Sequence, residues 1–92
     1  MAQPPGQWCV YLVECADGTL YAGISNDLAR RLQQHNDGSG ARYTRSRRPV
    51  SLVYAEPAVD RSSASRREYE LKQLPRAHKL RLLAHWQAAT PE

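Results

Sequence analysis

Phenylalanine is absent from this sequence, and methionine occurs once and lysine twice among its 92 residues. Long apolar runs are absent too, since no stretch approaches the ~20 apolar residues that a helix needs to cross a bilayer. The first residues contain neither the basic nor the apolar region of an export signal. We therefore expect a soluble cytoplasmic protein that does not insert into a membrane.

Cysteine occurs only at Cys9 and Cys15. On one predicted strand these residues would lie about 20 Å apart at ~3.3 Å per residue, well beyond the ~7 Å that a disulfide can bridge. We expect two reduced thiols that pack in the interior. The sequence also contains no Cys/His metal spacing, no Gly-rich phosphate loop and no Gly-x-Ser-x-Gly motif, so zinc, nucleotide cofactors and serine hydrolysis have no support.

The length of the chain fits one small domain. A chain of this size buries only about 60–65% of the surface that it exposes when unfolded, so its core must be modest. We assign the domain to residues 8–86. A Pro/Gly/Gln-rich stretch over residues 1–7 is predicted to be a disordered leader, and residues 87–92 a tail.

Arginine supplies most of the positive charge. The net charge is +4, the pI is near 9.4, and 11 of the 13 basic residues are arginine. A planar guanidinium offers paired donors that suit phosphate, although a GC-rich genome produces the same bias. Four arginines fall in residues 37–49, here called the arginine segment, which is either a nucleic-acid contact or a solvated loop. The candidate nucleic-acid contacts are Arg42, Tyr43, Arg45, Arg47, Arg48 and, later in the chain, Lys72.

Three stretches predict β-strands. Cys9–Cys15 and Thr19–Ser25 are rich in apolar and β-branched residues and flank an Asp-Gly step, which is a strong hairpin signal. Val50–Tyr54 is short and apolar, as a central strand would be.

The hairpin loop decides which side chains share a face of the sheet. A two-residue turn would pair Glu14 with Tyr21, whereas a three-residue loop would pair Tyr11 with Gly23. Only the three-residue loop places both phenols on one side of the sheet.

A helix is predicted directly after the hairpin. Ser25 and Asn26 can cap a helix over residues 27–35 that ends near Gly38. At about 100° per residue, one stripe of this helix carries Leu28, Leu32 and His35, with Arg31 at its border and Arg30 pointing away.

Two more helices complete the predicted fold. The first covers residues 61–74, is capped by Asp60 or Ser62, and is stopped by Pro75. The last covers residues 76–86. It is predicted to pack through Leu80, Leu83 and Ala84 and to expose His78, Lys79, Arg81 and His85. The order ββαβαα gives an α+β fold with a three-stranded, mainly antiparallel sheet flanked by helices.

Glu68 is an anomaly in this pattern because it lies on one helical stripe with Ala64 and Leu71, where an apolar side chain belongs. Burying a carboxylate costs several kcal/mol unless it is paired or bound to a metal. One alternative is therefore a metal ligand. The other is a salt bridge to a nearby cation, which would be Lys72, Arg67 or Arg31.

The spacing of these residues resembles that of the GIY-YIG nuclease family. The first triplet is Cys9-Val10-Tyr11 and the second is Tyr21-Ala22-Gly23, followed by Arg31 eight positions later and His35 four positions after that. The similarity continues through His35–Gly38, Tyr43-Thr44, Arg47–Val50, Leu52–Tyr54 and Glu68–Lys72. It covers roughly residues 8–83 and is greatest to small bacterial single-domain members related to the excinuclease catalytic domain.

The resemblance implies a role for each site residue. Tyr11 would deprotonate or orient the attacking water, and Tyr21 and Arg31 would hold the scissile phosphate. His35 would assist the phenol or the phosphate, or else pack at the core edge. Glu68 would bind one divalent cation, Mg²⁺ or Mn²⁺. A shared site of this kind requires the hairpin register that places Tyr11 opposite Gly23.

The implied activity is that of a divalent-metal-dependent endonuclease that hydrolyses phosphodiester bonds in nucleic acid, in DNA repair or processing. The implied partners are DNA or RNA and a protein that confers specificity. The alternative is a non-catalytic nucleic-acid-binding module on the same scaffold. Larger family members use a late Asn near the phosphate, whereas no Asn follows residue 36 here. A phenol with a pKa near 10 is a poor base at neutral pH, so Arg31, Lys72 or the metal would have to lower it.

Overall fold

The computed structural model describes residues 6–89, so most of the predicted leader and the end of the predicted tail lie outside the described residues. Its elements are β1 Cys9–Glu14, β2 Leu20–Ser25, α1 Leu28–Asp37, α2 Arg42–Arg45, β3 Ser51–Pro57, α3 Arg61–Gln73 and α4 Arg76–Ala89. The predicted order is confirmed. The short helix α2 is an addition, because the arginine segment was predicted to be a loop throughout. None of the described helices is both long and apolar enough to span a bilayer.

The three strands form one antiparallel sheet in the order β2-β1-β3. The prediction that the third strand is central was wrong, because β3 lies at an edge. The central strand is β1, in which every residue except Glu14 is buried. Its unbroken apolar run fits this position, since a strand between two neighbours and two helical layers has both faces covered.

The hairpin has the three-residue loop. The backbone N–H of Cys15 donates to the carbonyl of Thr19 at 2.8 Å, and Gly18 has a φ of 84°, a left-handed conformation that glycine adopts easily. Tyr11 therefore pairs with Gly23 and Val13 with Tyr21. This confirms the register predicted from the shared site and excludes the pairing of Glu14 with Tyr21.

The sheet separates two layers of core. On one face, Val10 and Leu12 pack with Ala64 and Leu71 of α3 and with Leu83 of α4. The opposite face is covered from the α1 side, and its cluster is made of Tyr11, Val13, Cys15 and Val50, with Leu28 and Leu32 packed against it. Cys9 and Cys15 are both buried, which confirms that they pack in the interior.

The ends of α1 follow local chemistry. The cap is Asp27, whose carboxylate accepts from the N–H of Arg30 at 3.2 Å. The prediction of Ser25 or Asn26 as the cap was wrong, because the Ser25 hydroxyl instead accepts from the N–H of Asp27 at 2.9 Å. The helix ends at Gly38 with a φ of 91°, as predicted.

The later helices show one more difference. α3 is capped by Asp60, whose carboxylate accepts from the N–H of Ser63 at 2.8 Å, and it ends before Pro75 as predicted. For α4 the predicted packing face is only partly right, because Leu83 is buried while Leu80 is 45% exposed and Ala84 is exposed. The packed stripe contains Leu82, Leu83 and Trp86. This stripe places the centre of the Trp86 indole 6.4 Å from the centre of the Tyr54 ring, within the range of a favourable aromatic contact.

One contact that the sequence analysis missed joins α1 to β3. The side chain of Asn36 accepts from the N–H of Val50 at 2.8 Å and donates to the carbonyl of the same residue at 3.1 Å. Both backbone groups at the entrance to β3 are thus satisfied by one amide. These two hydrogen bonds join the residues that flank the arginine segment and so hold both of its ends in place.

Candidate active site

Tyr11 crosses directly above Gly23 on the neighbouring strand. A β-carbon at position 23 would lie 2.5 Å from the Cζ atom of the Tyr11 ring and closer still to its hydroxyl. Only a residue without a side chain permits this approach. The second triplet therefore ends in glycine because the phenol of the first triplet occupies the space above it.

The Tyr11 hydroxyl ends beside His35. Its oxygen lies 2.8 Å from Nε2 of His35, and both side chains are completely buried. His35 reaches the sheet because it lies on the inward stripe of α1 with Leu28 and Leu32, as the helical pattern predicted. A phenol and an imidazole, 24 residues apart in sequence, are thus joined in a dry environment.

Tyr21 and Arg31 border this pair. The Tyr21 ring lies 5.5 Å from the His35 ring in an edge-on arrangement. Arg31 is close enough to the Tyr11 hydroxyl to lower the pKa of that group, and it donates to the Gln34 side chain at 3.3 Å. The fold therefore brings four of the five predicted catalytic residues together, which we call the tyrosine–histidine cluster: Tyr11, Tyr21, Arg31 and His35.

The ionisation of the central pair differs from the expectation. Burial raises the pKa of Tyr11 to about 12, and the neighbouring Arg31 offsets only part of this effect. Burial also lowers the pKa of His35, and the positive charge of Arg31 lowers it further. At neutral pH the Tyr11 phenol and the His35 imidazole are thus both neutral. Arg31 was expected to lower the pKa of Tyr11, but the effect of burial on this pKa is larger.

Glu68 belongs to α3, an element that contributes no residue to the tyrosine–histidine cluster. It stands between the buried residues Ala64 and Leu71 on α3, which covers the face of the sheet opposite Tyr11. Its side chain is 24% exposed and its Oε2 lies 3.8 Å from Nζ of Lys72, so the salt-bridge alternative is present. Within residues 6–89 no hydrogen bond or ion pair joins Glu68 to the cluster. The same residues contain no group of three or more His, Cys, Asp or Glu side chains that could hold a metal.

The arginine segment folds back on the hairpin rather than extending into solvent. Arg47 pairs with Asp17 at 3.1 Å and donates to the carbonyl of Tyr43 at 2.8 Å. Its guanidinium carbon also lies 4.0 Å from the centre of the Tyr43 ring, which stacks on Tyr21 at 5.8 Å. The tip of the hairpin and the tyrosine–histidine cluster are thereby tied to the same segment.

The four arginines of this segment have different roles in the fold. Arg48 donates to the carbonyl of Arg45 at 2.9 Å, so its charge, like that of Arg47, is engaged by the protein. Arg42 and Arg45 are exposed, and their side chains have no hydrogen-bond or ionic partner among the described residues. Of the four arginines in this segment, Arg42 and Arg45 are therefore the two that are available to an external anion.

Sequence reasoning missed Thr44 as a site residue. Thr44 lies on α2, is completely buried, and places its hydroxyl 2.8 Å from Nδ1 of His35. Gly40 permits this contact, because a β-carbon there would lie 2.7 Å from the same nitrogen. The available signal was a single uncharged, β-branched residue within a run of arginines.

A family model for the GIY-YIG catalytic domain matches residues 7–81. The chain belongs to the GIY-YIG family. Among GIY-YIG relatives, a UPF0213 protein of Desulfotalea psychrophila is 60% identical over 77 residues, which cover 83% of this chain and 70% of the relative. A UPF0213 protein of Staphylococcus aureus is 51% identical over 74 residues, which cover 80% of this chain and 90% of the relative.

Two solved structures resemble this GIY-YIG chain. The solution NMR structure of a UPF0213 protein from Bacillus halodurans is 41% identical and superposes with a TM-score of 0.54 over 85% of this chain and 83% of that one. The solution NMR structure of an E. faecalis protein is 33% identical, with a TM-score of 0.64 over 99% and 97% of the two chains. The family assignment from sequence and the similarity in fold to these two structures therefore agree.

Proposed function

We propose that this GIY-YIG protein is a divalent-metal-dependent endonuclease that hydrolyses phosphodiester bonds in nucleic acid during DNA repair or processing. The observation that supports this most is the 2.8 Å contact between the Tyr11 hydroxyl and His35 Nε2, bordered by Arg31. A buried phenol held against a neutral imidazole is a proton-transfer arrangement. A protein that only binds nucleic acid would not require this arrangement.

The proton path follows from the ionisation of this pair. Because Tyr11 is protonated at neutral pH, it cannot begin as a phenolate base. The hydroxyl is enclosed in the protein without substrate, so the proposed mechanism requires substrate binding to admit the attacking water to it. Its oxygen then accepts a proton from that water while its own proton passes to Nε2 of His35. The water becomes the nucleophile, Tyr11 remains neutral, and His35 becomes the imidazolium ion. Arg31 and the Tyr21 hydroxyl stabilise the charge that develops on the phosphate.

The metal is assigned to Glu68. Its pair with Lys72 is long and Lys72 is half exposed, and such pairs contribute at most about 1 kcal/mol, so the carboxylate remains available to a cation. A single carboxylate completed by waters and substrate oxygens suits Mg²⁺ or Mn²⁺ better than a softer metal. Bound there, the cation would act as a Lewis acid that stabilises the leaving oxygen.

A second candidate is a nucleic-acid-binding module that does not cut. Two observations favour it: Tyr11 is completely enclosed, and Glu68 is paired with Lys72. Such a protein would bind through exposed arginines such as Arg42 and Arg45. Its affinity would not depend on the Tyr11 hydroxyl.

The decisive experiment incubates the protein with end-labelled linear, nicked and branched DNA and with RNA, in Mg²⁺, in Mn²⁺ and in chelator. We expect cleavage of at least one substrate with metal and none with chelator. Tyr11→Phe keeps the ring above Gly23 and removes only the hydroxyl, so it should bind without cutting. Binding by the wild type without cleavage of any substrate would instead establish the binding module.

A further inference from the structure

The hydroxyl of Thr44 has two neighbours in the interior. It lies 2.8 Å from Nδ1 of His35, and it donates to the carbonyl of Ala41 at 3.0 Å. A threonine hydroxyl carries one proton and two lone pairs. With its proton on the Ala41 carbonyl, the Thr44 oxygen can only accept from His35.

This assignment determines the proton position on the imidazole. A neutral imidazole carries one N–H, so donation from Nδ1 to Thr44 leaves Nε2 with a bare lone pair. Nε2 then accepts from the Tyr11 hydroxyl at 2.8 Å. The hydrogen bonds run in one direction, from Tyr11 through His35 and Thr44 to the carbonyl of Ala41.

The opposite tautomer leaves a proton without a partner. If Nε2 carried the proton, it would donate to the Tyr11 oxygen, and Arg31 beside that oxygen is also only a donor. The proton of Tyr11 would then have no acceptor among the described residues. Tyr11, His35 and Thr44 are all completely buried, so solvent does not replace that acceptor.

We propose that Thr44 is a positioning residue that fixes His35 as the Nδ1-protonated tautomer, so that Nε2 is ready to receive the proton of Tyr11. The catalytic part of this inference rests on the proposed nuclease function. The tautomer does not, because it is a property of the folded protein. The arginine segment thereby sets the direction of proton transfer, since α2 carries the hydroxyl that orients the imidazole.

The first test is the tautomer of the wild-type protein. The ¹⁵N chemical shifts of the two His35 ring nitrogens, measured by NMR above the pH at which the ring titrates, distinguish Nδ1–H from Nε2–H. We expect protonation at Nδ1. A wild-type His35 protonated at Nε2 overturns the proposal, whatever the protein cleaves.

The second test compares Thr44→Val, Thr44→Ser and Ser46→Ala. Valine keeps the shape and removes the hydroxyl, serine keeps the hydroxyl, and Ser46 is an exposed residue of the same segment that makes no described contact with His35. We expect Thr44→Val to mix the two tautomers and to lower kcat up to about 100-fold with KM and binding unchanged. Thr44→Ser should restore both properties, and Ser46→Ala should match the wild type.

The outcomes separate this inference from the proposed function. The positioning role of Thr44 is overturned if the Thr44→Val protein keeps the wild-type tautomer and kcat. It is also overturned if a folded Thr44→Ser protein fails to restore the wild-type tautomer and kcat. If Thr44→Val does not fold, the tautomer of the wild type and the activity of Thr44→Ser still test the positioning role of Thr44. If the wild type cuts nothing while Thr44→Val changes the tautomer, the nuclease proposal fails and the positioning role of Thr44 stands.

Discussion

The ring of Tyr11 occupies the space in which a side chain at position 23 would lie, 2.5 Å from the place of its β-carbon. Gly23→Ala should therefore displace the phenol, lower stability by about 1–3 kcal/mol as overpacking does, and abolish cleavage. Denaturant melts and the cleavage assay measure the two effects. As a control, Gly23→Ala should cost much less in a Tyr11→Ala background, because the clash is then relieved. Equal costs in both backgrounds would contradict the steric explanation.

Glu68→Gln separates an enzyme from a binder. The change preserves size and hydrogen bonding but removes the charge that would hold the cation, so cleavage should fall by several orders of magnitude. Binding should persist or become tighter, because a negative charge near the nucleic acid is lost. Glu70→Gln is the matched control, since Glu70 lies elsewhere on the same helix and is 55% exposed beside Arg67. Robust metal-dependent cleavage by Glu68→Gln would place the metal site at another residue.

The arginine segment should show two kinds of arginine in a salt titration. Arg42→Gln and Arg45→Gln should each reduce the slope of log affinity against log salt by about 0.7–0.9 units, as expected when one phosphate contact is lost. Arg47→Gln should instead lower the melting temperature, because this side chain holds Asp17 and the Tyr43 carbonyl. A binding affinity independent of salt would rule out phosphate contacts by this segment.

The raised pKa of Tyr11 predicts a loss of stability in alkali. The folded protein holds this phenol at a pKa of about 12, against about 10 when unfolded, so the neutral form is favoured by folding. The resulting contribution, roughly 3 kcal/mol at two pKa units, is complete below pH ~10 and is lost as the pH rises toward and beyond 12. Unfolding free energies of the wild type and Tyr11→Phe between pH 8 and 12 test this. The wild type should lose stability more steeply, and parallel curves would show that the phenol titrates normally.

Local sequence signals predicted much of the fold. Asp60 and Pro75 marked the ends of α3, Gly38 marked the end of α1, and an Asp-Gly step marked the hairpin. These signals work because caps, breakers and turns act through backbone groups only a few residues away. The packing face of α4 was predicted only in part. Leu83 is buried as predicted, whereas Trp86 rather than Leu80 packs against the core, where it lies beside Tyr54 of another element.

Residue spacing was enough to predict the family, the order of the elements and the residues of the tyrosine–histidine cluster, because helical periodicity and strand alternation are local rules. The hairpin register was left open by the turn residues and was predicted only from the requirement for a shared site. The folded structure was needed to show that Tyr11 is enclosed with a raised pKa, that Lys72 rather than Arg67 or Arg31 pairs with Glu68, and that Thr44 reaches His35. Burial and hydrogen-bond direction depend on which distant segments close over a side chain. A one-dimensional pattern does not contain that information.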